Sequence, residues 1–411
     1  MNNIFRKQPR HISSIKRPYF SVVFIVIFLI VVYMVIVLFL PSPKFSPSIN
    51  SFTPQSQSGK LIWPTSQTQS AVGAVGYGVL ATNGEQKPAA IASIAKTMVA
   101  LSILEKKPLK LGEPGPTITM TAQDEEFFKT DFAQNGSVVP VQVGEQLTEY
   151  QMLQALLLPS GDNIASTLAV WGFGSLDGYL NYANQKAVEW NLKQTHFADA
   201  SGLSPQTQSS AQDLIVLGEK IMKEPVLAEI VNQSDVTLPV AGNVLNYNTI
   251  LGQQNIVGIK TGNTDEAGGC FLFASKRSVG GKEETILGVI LGSSSRNQAL
   301  TDTKKFLQTN NTSFAFTTPV VKGQVVGSYK LPWGKTVDVI AKDNLEVLTV
   351  SEAKVTAQTT LSDLNKTQNK GDQVGEISAG SGSMEAKVPA VLAADISKPP
   401  FFWHLLHPLT K

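Results

Sequence analysis

Ala92-Ser93-Ile94-Ala95-Lys96-Thr97-Met98 heads an apolar run to Glu105 that reads as a helix. Residues three apart on a helix project from one face about a turn apart, so the Lys96 amine can reach the Ser93 hydroxyl. A serine hydroxyl is a weak nucleophile until a base takes its proton, and a lysine of depressed pKa can be that base. Alone, S-x-x-K is a common pattern, often no more than a small polar residue and a snorkelling lysine. Its meaning depends on what the rest of the chain supplies.

Toward the amino terminus, residues 74–80 read as a strand and Thr82-Asn83-Gly84 as a turn before the Ser93 helix. Residues 41–59 are rich in Pro, Ser, Asn and Gln without a period, and read as a disordered spacer. Residues 19–40 form an uncharged run of 22 residues, and about 20 suffice to cross the hydrocarbon core. Arg6, Lys7, Arg10, Lys16 and Arg17 hold residues 1–18 in the cytoplasm under the positive-inside bias, placing the chain beyond residue 40 outside. Pro41-Ser42-Pro43-Lys44 offers no small-x-small cleavage pattern, which favours an uncleaved single-pass cell-membrane anchor over a signal peptide.

Toward the carboxy terminus, Thr148 and Gln151 have capping-box spacing ahead of apolar Met152, Leu153, Leu156 and Leu157. Pro159 ends that helix. Ser160-Gly161-Asp162-Asn163 then opens a second buried helix carrying Ile164, Ala165 and Leu168. Residues 175–192 read as an amphipathic helix, 196–204 as a loop, and Ser210 with Asp213 as another capping box. Residues 255–261, 269–277 and 285–293 are β-rich segments that read as antiparallel neighbours, with a last helix at 298–307. The fold class is α/β (α+β): an antiparallel sheet covered by helices, with a helical subdomain attached. The first of the late strands ends in Lys260-Thr261-Gly262, where a lysine and a hydroxyl can bind a carboxylate and the glycine permits close approach.

Composition narrows the classes. Lys plus Arg number 34 and Asp plus Glu 32, for a net charge of +2, which excludes a nucleic-acid-scale basic field. A single cysteine, Cys270, excludes an intrachain disulfide, and its apolar neighbours indicate a buried strand thiol. His11, His196, His404 and His407 form no metal-ligand set, so neither metal nor cofactor is expected.

In order and spacing, S-x-x-K at 93, Ser-Gly at 160 and K-T-G at 260 match the triplet of serine β-lactamases and penicillin-binding proteins. The chain resembles the D-alanyl-D-alanine carboxypeptidases, the low-molecular-mass penicillin-binding proteins, over residues 72–306. Asn246-Tyr247-Asn248-Thr249-Ile250-Leu251 and residues 257–268, the loop at 196–203 and the helix start at 210–214 carry the likeness beyond the three motifs. The resemblance implies a β-lactamase-like transpeptidase fold over residues 60–316. It implies Ser93 as nucleophile, Lys96 as general base and Ser160 as proton relay to the leaving amine. Lys260 and Thr261 would hold the terminal carboxylate of a peptidoglycan stem peptide ending in D-Ala-D-Ala, with Gly262 beside them and Arg296 as a further candidate. Backbone N–H groups of Ser93 and Asn263 would form the oxyanion hole, and β-lactam antibiotics would be covalent inhibitors.

One departure stands out. The family's second motif is S-x-N, whereas here Asp162 takes the third position and Asn163 comes next. Either a shift of one residue lets Asn163 serve, or Asp162 pairs with a lysine and the site works with it. Three functions stay open: a D,D-carboxypeptidase, a D,D-endopeptidase or β-lactamase of the same fold, and a catalytically silent cell-wall-binding protein.

Beyond residue 317, K-G-x-x-V-G at Lys322 recurs at Lys370, 48 residues on. Alternating β-branched residues there read as half-exposed strands, and the resemblance implies the family's small all-β domain over 317–398. Residues 399–411, with Phe401, Phe402 and Trp403, are too short to span a membrane but could rest at its interface or pack on the β domain.

Overall fold

Cys270-Phe271-Leu272-Phe273-Ala274 sends successive side chains to opposite faces of one strand, and both faces are buried. Phe271 and Phe273 join one core; Cys270, Leu272 and Ala274 join another. This strand lies inside a sheet clad on both sides.

The computed structural model describes residues 17–39, 43–56, 59–65, 68–351 and 353–406. Helix α1 (Arg17–Leu38) and a short strand β1 (Pro47–Ile49) come first. Strands β2 (Gln69–Ala74) and β3 (Gly78–Asn83) form a hairpin. Helices α2 (Lys96–Lys106), α3 (Ala122–Ala133), α4 (Glu149–Leu157), α5 (Asp162–Phe173), α6 (Leu176–Glu189), α7 (Ala211–Lys223) and α8 (Pro225–Val231) come after it. Strands β4 (Ile256–Thr264), β5 (Gly268–Val279) and β6 (Lys282–Ser293) then lead to α9 (Arg296–Thr309). The sheet runs β4-β5-β6-β2-β3, antiparallel throughout. Helix α9 covers the Phe271 face with Leu300, Phe306 and Leu307. Helices α2 and α7 cover the other face with Met98, Leu214 and Leu217.

The capped helices start where their sequence signals stand. Thr148 Oγ1 accepts from Gln151 N (3.2 Å) and Gln151 Oε1 from Thr148 N (3.0 Å), closing the box. Ser210 Oγ accepts from Asp213 N at 3.3 Å, but the Asp213 carboxylate turns instead to Gln194 N and Thr195 Oγ1.

Four expectations need correction. Residues 74–80 are not one strand: the chain reverses at Val75-Gly76-Tyr77, with Gly76 and Gly78 at positive φ, so they are the bend of the β2–β3 hairpin. Helix α3 had no counterpart among the sequence expectations, because of its side chains only Asp124 is buried and there is no apolar stripe to see. Ser93 sits not in the helix proper but in a 3₁₀ turn, Ala92–Ala95, leading into α2. Finally, the 41–59 segment is packed where it is described, not disordered. Phe45 is buried in the carboxy-terminal core and β1 pairs with a strand there.

That carboxy-terminal region comprises β7 (Phe314–Val320), β8 (Val325–Lys330), β9 (Thr336–Ala341), β10 (Leu345–Val350), β11 (Gln358–Leu361), β12 (Gln373–Gly380) and β13 (Glu385–Leu392). Its main sheet runs β1-β8-β9-β13-β12-β11, with β7 paired to β10. The two K-G-x-x-V-G copies are equivalent. Gly323 and Gly371 both take positive φ in the turn, and each is followed by a register shift, at Val325/Gly327 and at Gln373/Gly375. Helix α10 (Phe401–Leu406) lies against α1, with Tyr33 Oη donating to Leu405 O at 2.8 Å. It also touches the β domain, where Trp403 meets Trp333 edge-on at 5.6 Å. His11 and His407 lie outside the described residues.

Candidate active site

The 3₁₀ turn sets Ser93 half-buried at the head of α2, while Lys96 is fully enclosed. Lys96 Nζ donates to three oxygens: Ser93 Oγ at 2.8 Å, Asp162 Oδ1 at 2.5 Å and Ser201 O at 3.0 Å. An ammonium carries three hydrogens, so every donor is satisfied. Asp162 is the first residue of α5, where the positive end of the helix dipole favours a carboxylate. Its own N–H donates to Ser137 O at 2.7 Å.

Of the two residues the second motif left open, Asp162 is the one that pairs with Lys96. Asn163 does not reach the cleft. Its amide clamps the Val139 backbone, accepting from Val139 N (3.0 Å) and donating to Val139 O (2.8 Å). Nor does Asp162 open toward a ligand, since it is 1 % exposed and turned onto Lys96. Ser160 occupies the turn between α4 and α5 at φ 68, with a buried hydroxyl that has no partner among the described residues.

Strand β4 is an edge strand and brings Lys260-Thr261-Gly262 alongside the Ser93 turn. A Cβ on Gly262 would stand 3.0 Å from Ile91 O and 3.1 Å from Ser93 N, so the bare glycine lets the strand lie against the nucleophile's own backbone. Lys260 is buried, donating to Thr261 O at 3.1 Å. Burial first, then the cations Lys96 and Arg296, hold its amine well below the ordinary lysine range, with Asp162 opposing. Lys260 is therefore a lysine whose enclosed amine resists taking up charge. Asn263 is exposed and its Oδ1 accepts from Arg296 N at 2.9 Å. The Arg296 guanidinium stacks on Tyr247, 4.7 Å from the ring centre.

Sequence reading placed the 196–204 loop but not the part that Asp199 and the Ser201 carbonyl take in the site. Asp199 Oδ2 accepts from Ser201 Oγ (2.7 Å), Gly202 N (2.8 Å) and Leu203 N (2.9 Å), and its Oδ1 accepts from Thr207 Oγ1. This carboxylate folds the loop so that the Ser201 carbonyl faces Lys96. Gly202 has φ +85, and a Cβ there would stand 1.9 Å from Ala92 O. The only sequence signal was Asp199-Ala200-Ser201-Gly202, a turn pattern in which an Asx side chain binds the backbone ahead of it.

A half-buried serine touched by an enclosed lysine, with a second lysine on a neighbouring edge strand, is an arrangement that can carry serine acyl transfer with an amine in place of an imidazole. The sequence model of the D-alanyl-D-alanine carboxypeptidase family matches residues 66–294, and the chain belongs to that family of serine peptidases. Among curated relatives it is 24% identical to the Bacillus subtilis D-alanyl-D-alanine carboxypeptidase DacF over 281 residues, 65% of this chain and 67% of that protein. It is 26% identical to the Escherichia coli carboxypeptidase DacD over 220 residues, 53% of this chain and 54% of that protein. The crystal structure of penicillin binding protein 5 from Haemophilus influenzae superposes with a TM-score of 0.63 over 83% of this chain and 100% of that one, at 18% identity. That likeness carries the fold.

Proposed function

We propose that the chain is a membrane-anchored serine D-alanyl-D-alanine carboxypeptidase that removes the terminal D-alanine of peptidoglycan stem peptides through an acyl-enzyme on Ser93. The observation that carries this reading is the 2.8 Å contact between Lys96 Nζ and Ser93 Oγ beside the Lys260 strand. Ser93 Oγ attacks the carbonyl of the penultimate residue as Lys96 takes its proton. Backbone N–H groups of Ser93 and Asn263 receive the developing oxyanion, where loss of one donor costs about 3 kcal/mol of barrier. Ser160 passes a proton to the leaving amine. Lys260 and Thr261, with Gly262 beside them, hold the terminal carboxylate, and Arg296 supports the same charge. A buried, reluctantly charged Lys260 suits this task, because an arriving carboxylate favours its ammonium form. Water then releases the acyl group.

β-Lactams acylate the same serine. Helix α1, whose Tyr19–Val37 stretch is long and apolar enough to cross a membrane, anchors the chain with the catalytic domain outside the cytoplasm. Full-length protein in detergent, treated with a labelled penicillin and with a pentapeptide ending in D-Ala-D-Ala, tests the reading. The wild type should gain a covalent adduct and release D-alanine, and Ser93→Ala should do neither. Wild-type protein that does neither overturns it, and cleavage confined to cross-linked dimers would make the enzyme an endopeptidase.

A further inference from the structure

Lys96 meets three acceptors with three hydrogens, and that census poses a problem for a base. Before its nitrogen can accept the Ser93 proton, it must give up one of its own. Ser93 cannot take it, being the group that has to lose a proton. The Ser201 carbonyl is no base in water. Asp162 Oδ1, at 2.5 Å and enclosed with Lys96, is the one acceptor left.

We propose that Asp162 is the proton store of the site, a positioning residue that acts through Lys96 and makes Ser93, Lys96 and Asp162 a three-membered relay. The inference rests on the function proposed above. In the resting state the pair is ammonium and carboxylate. One Nζ hydrogen passes to Asp162, leaving a neutral amine and a carboxylic acid. A third of a turn about Cε–Nζ points the lone pair at Ser93 Oγ. As the Oγ–C bond forms, the Ser93 proton moves to Nζ. When the C–N bond breaks, the leaving amine takes a proton from Lys96, directly or through Ser160, and Asp162 returns its own to Lys96. One amide is replaced by one ester and one amine, and the pair ends with the proton it began with.

Because the pair takes its protons only from Ser93 and gives them only to the leaving amine, acylation should not depend on losing one to solvent. The charged groups facing it are Lys260 on β4 and Asp131 on α3; beyond them Arg296 on α9 acts on Lys260, and Asp199 on the 196–204 loop acts on Asp131 and on the Tyr179 hydroxyl of α6. Burial, then the Asp162 carboxylate, pushes Asp131 up to about 6. Asp131→Asn is therefore the control for a neighbour's titration.

The experiment measures the acylation rate of the full-length protein with a labelled penicillin across pH. Wild type and Asp131→Asn should give a plateau from about pH 6 to about pH 8. Asp162→Asn restores the family's S-x-N and leaves Lys96 to lose its proton to water. Its rate should fall about tenfold per pH unit below its limb and be at least about tenfold slower than wild type at pH 6. In H₂O/D₂O mixtures the wild-type rate should bend with deuterium content, as for two moving protons, and that of Asp162→Asn should be linear. Superimposable profiles, or an Asp162→Asn rate above wild type at pH 6, overturn the relay. If Asp162→Asn fails to fold, the wild-type profile decides: a plateau supports the relay and a unit-slope rise overturns it. A wild type without an adduct at any pH instead overturns the proposed function itself.

Discussion

Glu149, the first residue of α4, has 0 % exposure and neither carboxylate oxygen has a hydrogen-bond partner among the described residues. Burial pushes it up from 4.5 to about 7, with distant Lys107 opposing. Linkage sets the sign. A carboxyl whose folded pKa exceeds its unfolded value retains its proton in the native state, so it is harmless below about pH 4.5. It costs stability progressively as pH rises to about 7, and the full amount above that. A shift from 4.5 to about 7, at about 1.4 kcal/mol per unit, sets an upper bound of about 3.5 kcal/mol. Glu149→Gln, a neutral isostere, should come closest to wild type near pH 5 and exceed it most in alkaline buffer. For a domain of this size the full gap corresponds to a melting-temperature difference of roughly 7–14 °C. Thermal unfolding of both proteins at half-unit steps from pH 5 to pH 8.5 is the assay. A gap that stays constant with pH, or closes as pH rises, would falsify the assignment of a buried, unpartnered acid.

Three further outcomes test other contacts. Gly288→Ala places a Cβ 2.1 Å from the Phe273 ring in the centre of the sheet, and should destabilise by about 1–3 kcal/mol in denaturant titration. Asp199→Ala releases five donors at once and frees the Ser201 carbonyl, so penicillin acylation should drop by at least about tenfold while the melting temperature falls only modestly. In Gly262→Ala the new methyl meets Ile91 O and Ser93 N at 3.0 and 3.1 Å; acylation should slow at nearly unchanged stability, and an unaltered rate would show that the strand can yield there.

Much of the scaffold was legible from residue chemistry. Residues 269–277 read as a strand with a buried thiol, and Thr148 with Gln151 marked a helix start to the residue. What escaped has identifiable causes. Helix α3 buries one polar side chain and little else, so periodicity was silent, although Thr121-Ala122-Gln123-Asp124 carries a cap: Asp124 accepts from Thr121 N at 2.8 Å. The 74–80 stretch has the composition of a strand, and only the paired glycines at 76 and 78 betray a reversal. Within the site, Ser93, Lys96 and Lys260 were readable as types at a spacing. Which of Asp162 and Asn163 faces inward was not, because it depends on where α5 begins its first turn. The Ser201 carbonyl is a main-chain atom with no side-chain signature at all.

Strand β1 has a practical side. It supplies the outermost rung of the carboxy-terminal sheet, and nearby Phe45 packs edge-on against Tyr329 and Trp333. A soluble version cut just after the apparent spacer would strip that rung, uncover the backbone of β8 as a sticky seam and leave a hollow where the ring stood. One trimmed at Lys44 would keep both, so what looks like a tether is the first piece of the carboxy-terminal sheet.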